Sequence, residues 1–331
     1  QSNRSAIRCQ PWRSWGASFL MSSRNKLKRE RHLATVTLVI LTLWSGSAFA
    51  NLKIFACEPE WGALAKEIAG SKAGIYVATG PDQDAHYIRA RPSLIAKIRR
   101  ANLVFCTGAS LEAGWLPLLL QRGAQAAVQP GKPGNIMAAD FVNTIEKPLV
   151  LDRSLGDIHP EGNPHVHLDP RNIIILAKIL SKRLSIIDPS NSAYYQKRTN
   201  SFVKGWEKLI IGWNKRLNRL KGQRVAVHHR SWSYLLSWSG LREAAMLEEK
   251  PGIPPSARHL NNVLKGVKAD RTMAILRTSF DDPQPSQWLM KKTGIPAIVL
   301  PFSVSREPVE GNLARLFNNI LKKLENIAAK R

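Results

Sequence analysis

Apolar residues downstream of position 50 fall into two alternating patterns. Short continuous runs at Leu52–Cys57, Ile75–Ala78 and Leu103–Cys106 have the length of buried strands. Between them, around Trp61–Ala69, Pro92–Arg100 and Trp115–Arg122, the pattern is that of helices. The alternation resumes after Lys221. Arg224–Val227, Leu241–Leu247, Met273–Arg277 and Ala297–Leu300 read as strands, and Ser231–Trp238, Ala257–Val267, Pro285–Thr293 and Leu313–Ala329 as helices. The β-α-β-α order predicts parallel sheets with helices on both faces.

A different object lies between these halves. Phe202, Trp206, Leu209, Trp213, Leu217 and Leu220 recur at three- and four-residue steps, the stripe of one amphipathic helix. Asp188-Pro189-Ser190-Asn191 supplies a start signal and Gly222 a stop. About thirty residues make roughly 45 Å of helix, longer than a crossover within one small domain needs. The Trp stripe is read as core packing. The expected architecture is α/β: two lobes at residues 51–189 and 222–331, each a mostly parallel sheet flanked by helices, joined by one long rigid helix at 190–221. There is no internal sequence repeat.

Residues 1–50 follow other rules. Arg24, Lys26, Lys28, Arg29 and Arg31 precede the apolar run Leu33–Trp44 and the small residues ending in Ala48-Phe49-Ala50. This is the order of a secretory signal peptide with an A-x-A cleavage site. The run is too short for the roughly 20 residues of a membrane span. Residues before Met21 carry no targeting pattern and read as an upstream extension, so an exported, periplasmic protein starting near Asn51 is expected. The formal charge is +25, of which +7 comes from eight Lys/Arg and Glu30 in residues 1–50. The remaining excess is dispersed along helices without a nucleic-acid motif, and export argues against nucleic acid. A solvated basic surface and a monomer are expected.

Cys57 and Cys106 end two strand-like runs. Parallel neighbouring strands would bring them to the same sheet edge, and an oxidising compartment would join them. Two buried thiols or soft metal ligands are the competing reading. The histidines carry the chemistry. His86 follows Gln83-Asp84-Ala85, His165 and His167 lie in Asn163-Pro164-His165-Val166-His167-Leu168-Asp169-Pro170, and His229 follows Val227-His228. Ligands bind beyond the carboxyl ends of strands in parallel sheets, where His86 and His229 fall. Imidazoles drawn from distant segments are how folded proteins build Zn²⁺ sites.

These motifs resemble the zinc- and manganese-type substrate-binding proteins of bacterial ABC importers, over essentially all of residues 51–331. Gln83–Ser93 is similar to the first ligand loop, Leu103–Glu112 to the strand and turn that follow, Pro164–Pro170 to the second ligand motif and His228–Tyr234 to the third. The resemblance implies His86, His165 and His229 as metal ligands, two lobes on a long helix, and delivery of the ion to a membrane ABC permease. His167 stands where the family commonly has an aromatic residue, leaving it as a neighbour of the site or an alternative ligand. The family also often supplies a carboxylate just after the last strand, and Leu300-Pro301-Phe302-Ser303 has none. The site is then three histidines plus water, or borrows Glu58, Glu60, Asp84, Asp281 or Asp282. His159, in Gly156-Asp157-Ile158-His159-Pro160, is an accessory metal collector or an ordinary loop residue. Imidazole suits Zn²⁺ and oxygen-rich sites suit Mn²⁺, so zinc is expected over manganese. The rival class is a zinc hydrolase or hydratase with three histidines and an open water position. No H-E-x-x-H helix or general base placed by spacing supports it.

Overall fold

Strands β1 (Leu52–Ala56), β2 (Ala73–Val77), β3 (Leu103–Cys106) and β4 (Asn135–Met137) pair in the order β2-β1-β3-β4, every pair parallel. The central strands are covered on both faces, which explains their unbroken apolar runs. All of β3 is buried, as are Ile54, Phe55 and Ala56 of β1. A second parallel sheet, β6-β5-β7-β8, is built from β5 (Arg224–Val227), β6 (Arg242–Met246), β7 (Ala274–Arg277) and β8 (Ala297–Val299). Its strand order is the same as that of the first sheet. The computed structural model describes residues 51–150, 152 and 156–330, so the expected signal segment lies outside the described residues.

Nine α-helices lie among the described residues: α1 (Pro59–Ala69), α2 (Pro92–Ile98), α3 (Leu116–Gly123), α4 (Pro170–Ile187), α5 (Ser192–Leu217), α6 (Ser233–Ser239), α7 (Ala257–Ala269), α8 (Pro283–Thr293) and α9 (Asn312–Ala328). Two elements were not expected from the sequence pattern, the three-residue strand β4 and the helix α4. Helix α4 starts where the second histidine motif ends. The Asp169 side chain accepts the Arg171 N–H and Pro170 fills the first turn. Ile173, Leu176, Ala177, Leu180 and Leu184 then form its buried face.

Helix α5 is the expected long helix. Its 26 residues span about 39 Å and continue from a 3₁₀ turn at Pro189–Asn191. The chain turns away through Gly222, whose φ of +80° lies in the left-handed region that glycine enters freely. Tyr195, Thr199, Trp206, Trp213 and Leu217 are buried. Leu209, expected in this stripe, is 36% exposed. At about 100° per residue it sits roughly 60° away from Trp206, at the stripe's edge. Trp206 and Trp213 pack on each other and on Phe317 of α9, with ring centroids 5.0–5.7 Å apart. Their indole N–H groups donate to Pro170 O and Asn318 Oδ1.

A single hydrophobic cluster runs from Ile54 and Phe105 through Trp206 and Trp213 to Val225 and Phe317. The long helix thus carries one core between the sheets. The C-terminal helix reaches back across it, with Glu310 paired to Arg198 at 2.6 Å and Gly311 N–H on Glu67. Cys57 and Cys106, at the carboxyl ends of the two central strands, form a buried disulfide with Cα atoms 4.8 Å apart. The free-thiol alternative is thereby set aside. Among the described residues no helix is long and apolar enough to cross a membrane.

Candidate metal centre

Strand order reverses between β1 and β3 and again between β5 and β7, and a parallel sheet opens a crevice beyond its carboxyl ends at that point. Here the two crevices are one cleft. It is lined by segments that follow β1, β2, β5, β6, β7 and β8, including Glu58, Gly80, His229, Glu248, Phe280 and Phe302.

The three expected histidines meet in this cleft. His86 stands on a 3₁₀ turn, Ala85–Tyr87, whose cap Asp84 accepts both the His86 backbone N–H at 3.0 Å and Nδ1–H at 2.6 Å. His165 precedes the 3₁₀ turn Val166–Leu168, and its backbone N–H donates to Asn163 Oδ1. Its ring is buried, with neither nitrogen hydrogen-bonded. His229 lies two residues beyond β5, and its Nδ1–H donates to Glu248 Oε2 at 2.8 Å. The ring centroids form a near-equilateral triangle: His86–His165 6.1 Å, His86–His229 6.2 Å and His165–His229 5.9 Å. The triangle is open. Among the described residues, the group of three ligating side chains whose donor atoms all lie within 4.8 Å is Cys57, Cys106 and Glu112, where the sulfurs are spent on the disulfide. Nitrogens around one tetrahedral zinc stand about 3.3 Å apart, so an ion would draw these rings inward.

Electrostatics keep the cluster ready to accept a cation. Burial, then the neighbouring His229 and His86, holds His165 well below the usual histidine pKa, so it is neutral. Burial alone would lower His229, yet the hydrogen bond and charge of Glu248 outweigh it and raise the pKa. Burial would raise Asp84, and the bond to His86 outweighs that, lowering it. Asp84 thus stays ionised behind its imidazole, and the two carboxylates, each accepting an Nδ1–H, fix which nitrogen carries the proton.

A fourth ring joins them. His159 Nε2 lies 3.1 Å from His86 Nε2, and its Nδ1 donates to the Ala109 carbonyl at 2.8 Å. Burial, then His86, lowers its pKa to about 4. The Ala109 carbonyl sits in a costly turn. Gly108, Ala109 and Ser110 have φ of 76°, 47° and 62°, and left-handed non-glycine residues cost on the order of 1 kcal/mol each. Glu112 holds that turn by accepting the Thr107 and Gly108 N–H groups.

The remaining candidates are engaged elsewhere. His167 Nε2–H donates to Phe302 O at 2.9 Å and Nδ1 faces Glu60 at 3.4 Å, so it ties the two halves together outside the triangle. His228 is buried, with Nε2 3.6 Å from Glu248. Glu60 accepts from Ser303, Asp281 from the Thr278 N–H, and Asp282 from the Gln284 N–H as the α8 cap. Burial, then Glu112 and Glu60, raises Glu58 well above the carboxylate range, leaving it a neutral acid. Where a carboxylate would follow the last strand, the Phe302 ring instead packs edge-on against His165 and His167 at 5.2 and 5.0 Å.

Sequence reading did not anticipate Glu248. The pairing Val227↔Met246, carried two residues further, sets Glu248 beside His229, but a register shift between Val225 and Ala226 hides this pairing from residue counting.

Two parallel sheets closing one imidazole-lined cleft define a bilobal α/β ligand-binding protein. A family profile described as zinc-uptake complex component A, periplasmic, matches residues 54–329, and the chain belongs to that family. It is 26% identical over 282 residues to the metal ABC transporter substrate-binding lipoprotein SloC of Streptococcus mutans, covering 82% of this chain and 88% of the relative. The manganese ABC transporter substrate-binding lipoprotein PsaA of Streptococcus pneumoniae is 25% identical over 272 residues, covering 79% and 84%. Among solved structures, ZnuA superposes with a TM-score of 0.65 at 19% identity, covering 84% of this chain and 98% of its own. The Mn-bound periplasmic metal binding protein of Candidatus Liberibacter asiaticus gives 0.67 at 18% identity, covering 83% and 99%. These relatives are substrate-binding proteins rather than enzymes.

Proposed function

We propose that this protein captures a divalent metal ion, Zn²⁺ in preference to Mn²⁺, with His86, His165 and His229, and hands it to an ABC permease. In this reading it works outside the cytoplasm as a monomer, residues 51–189 and 222–331 forming the jaws and 190–221 the bridge. The observation that carries the proposal is the His165 ring. A buried polar side chain without a partner costs about 1–3 kcal/mol, and His165 has both nitrogens unpartnered in the middle of an imidazole cluster. A cation would satisfy it. Zinc is favoured because the rings offer nitrogen, while the nearby Asp84 and Glu248 oxygens already hold Nδ1 protons. The family relationship supports delivery to a permease. Elemental analysis and calorimetric titration of residues 51–331 test the reading, which expects one zinc per chain and weaker binding of manganese.

Two further results are expected. Glu248→Gln removes the charge that polarises His229, and should weaken zinc binding about tenfold, the low end for a group behind a ligand. Proton competition gives the second. His229 has a raised pKa, so protonated ring predominates below a pH somewhat above 6.5. Zinc binding must displace that proton. Affinity should therefore be flat at alkaline pH and fall at least tenfold per unit as pH drops below that value, as calorimetry across pH 5–8 would register. A pH-independent isotherm would contradict it.

A further inference from the structure

We propose that His159 is a fourth metal ligand, so that the cleft closes on its ion as a tetrahedral, all-imidazole centre. The inference rests on the reading of the cleft as a metal site and adds to it a ligand and a basis for metal selectivity. His86 Nδ1 faces the Asp84 carboxylate and His159 Nδ1 faces the Ala109 carbonyl. Neither oxygen has a proton to give, so both Nδ1 atoms carry a hydrogen, and in neutral rings both Nε2 atoms present lone pairs. Those lone pairs face each other across 3.1 Å. With nothing between them they repel. Two imidazoles on one tetrahedral zinc have their nitrogens about 3.3 Å apart, so this pair already has the bite of a metal chelate.

The segment that presents His159 is anchored to both halves of the protein. The Asp157 N–H donates to Pro251 O at 2.8 Å, and its carboxylate accepts the hydroxyl of Tyr87, the residue after His86, at 2.6 Å. Ser110 Oγ donates to Glu161 Oε2 at 2.9 Å, and the Gly162 N–H closes back on His159 O at 2.9 Å. The ring is therefore fixed by the same Tyr87 that neighbours His86 and by the same turn that supplies the Ala109 carbonyl. Four imidazoles would fill the shell of a tetrahedral zinc and leave no position for the oxygen ligands that manganese prefers. They would also remove the open water position on which zinc hydrolysis depends.

The test uses residues 51–331 with ¹⁵N-labelled histidine, following ring nitrogens by NMR before and after one equivalent of zinc. Four Nε2 resonances, those of His86, His159, His165 and His229, are expected to move to metal-bound positions. In His159→Ala three should move, with zinc affinity lowered roughly a hundredfold, beyond the effect typical of groups behind a ligand, and the preference for zinc over manganese narrowed. His159→Asp should narrow the preference for zinc over manganese. Wild-type spectra in which only the Nε2 signals of His86, His165 and His229 move, with that of His159 unshifted, would overturn the proposal while leaving the three-histidine site intact. Spectra in which none move would overturn both.

Discussion

His165→Ala should abolish zinc binding at micromolar protein, with affinity falling by well over a hundredfold. The bound comes from chemistry: disturbing a group behind a ligand already costs 10–100-fold, and removing the ligand costs more. His165 is the sharpest case because its ring has no other occupation. His86 and His229 each spend one nitrogen on a carboxylate, whereas both nitrogens of His165 are free in a buried setting. His86→Ala and His229→Ala should behave alike. His167→Ala is the informative control. Its nitrogens engage Phe302 O and Glu60, so its loss should loosen the contact between the halves and leave affinity within about tenfold. Competition titration with a chromophoric chelator measures all four. Zinc affinity retained in the His165 variant and lost in the His167 variant would reverse the assignment.

Breaking the Cys57–Cys106 disulfide is the second large effect expected. It closes a loop of 49 residues, for which chain entropy predicts about 4 kcal/mol of stabilisation. The Cys57→Ser, Cys106→Ser double variant should therefore melt about 10 °C lower, at roughly 2–4 °C per kcal/mol for a chain of this size. Both sulfurs are buried at the ends of the two central strands, so reduction of the wild-type protein should need partial unfolding. Scanning calorimetry of the oxidised and double-variant proteins checks the shift. An unchanged melting temperature would mean that packing of β1 on β3 suffices without the covalent link.

Most of the fold was legible because buried parallel strands and amphipathic helices leave opposite periodicities. Eight of the strands and helices after Leu220 were expected within two residues of where they lie. Helix α4 was masked by the histidine motif that runs straight into its Asp169 cap, although its buried residues keep helical spacing. Strand β4 is too short to carry a pattern. The three principal histidines were legible because each follows a strand or opens a turn. Glu248 was not, and His159 was read only as an accessory collector or an ordinary loop residue, for a shared reason: their positions depend on long-range fixtures. A tyrosine hydroxyl and a strained carbonyl place one, and a bulged strand pairing places the other.

Anomalous diffraction at the zinc edge from crystals of residues 51–331 grown with one equivalent of zinc tests the central claim most directly. The account predicts one strong peak in the cleft, within about 2.0–2.1 Å of a ring nitrogen from each of His86, His165 and His229. A peak confined to surface residues, or to any site lacking these three rings, would contradict it.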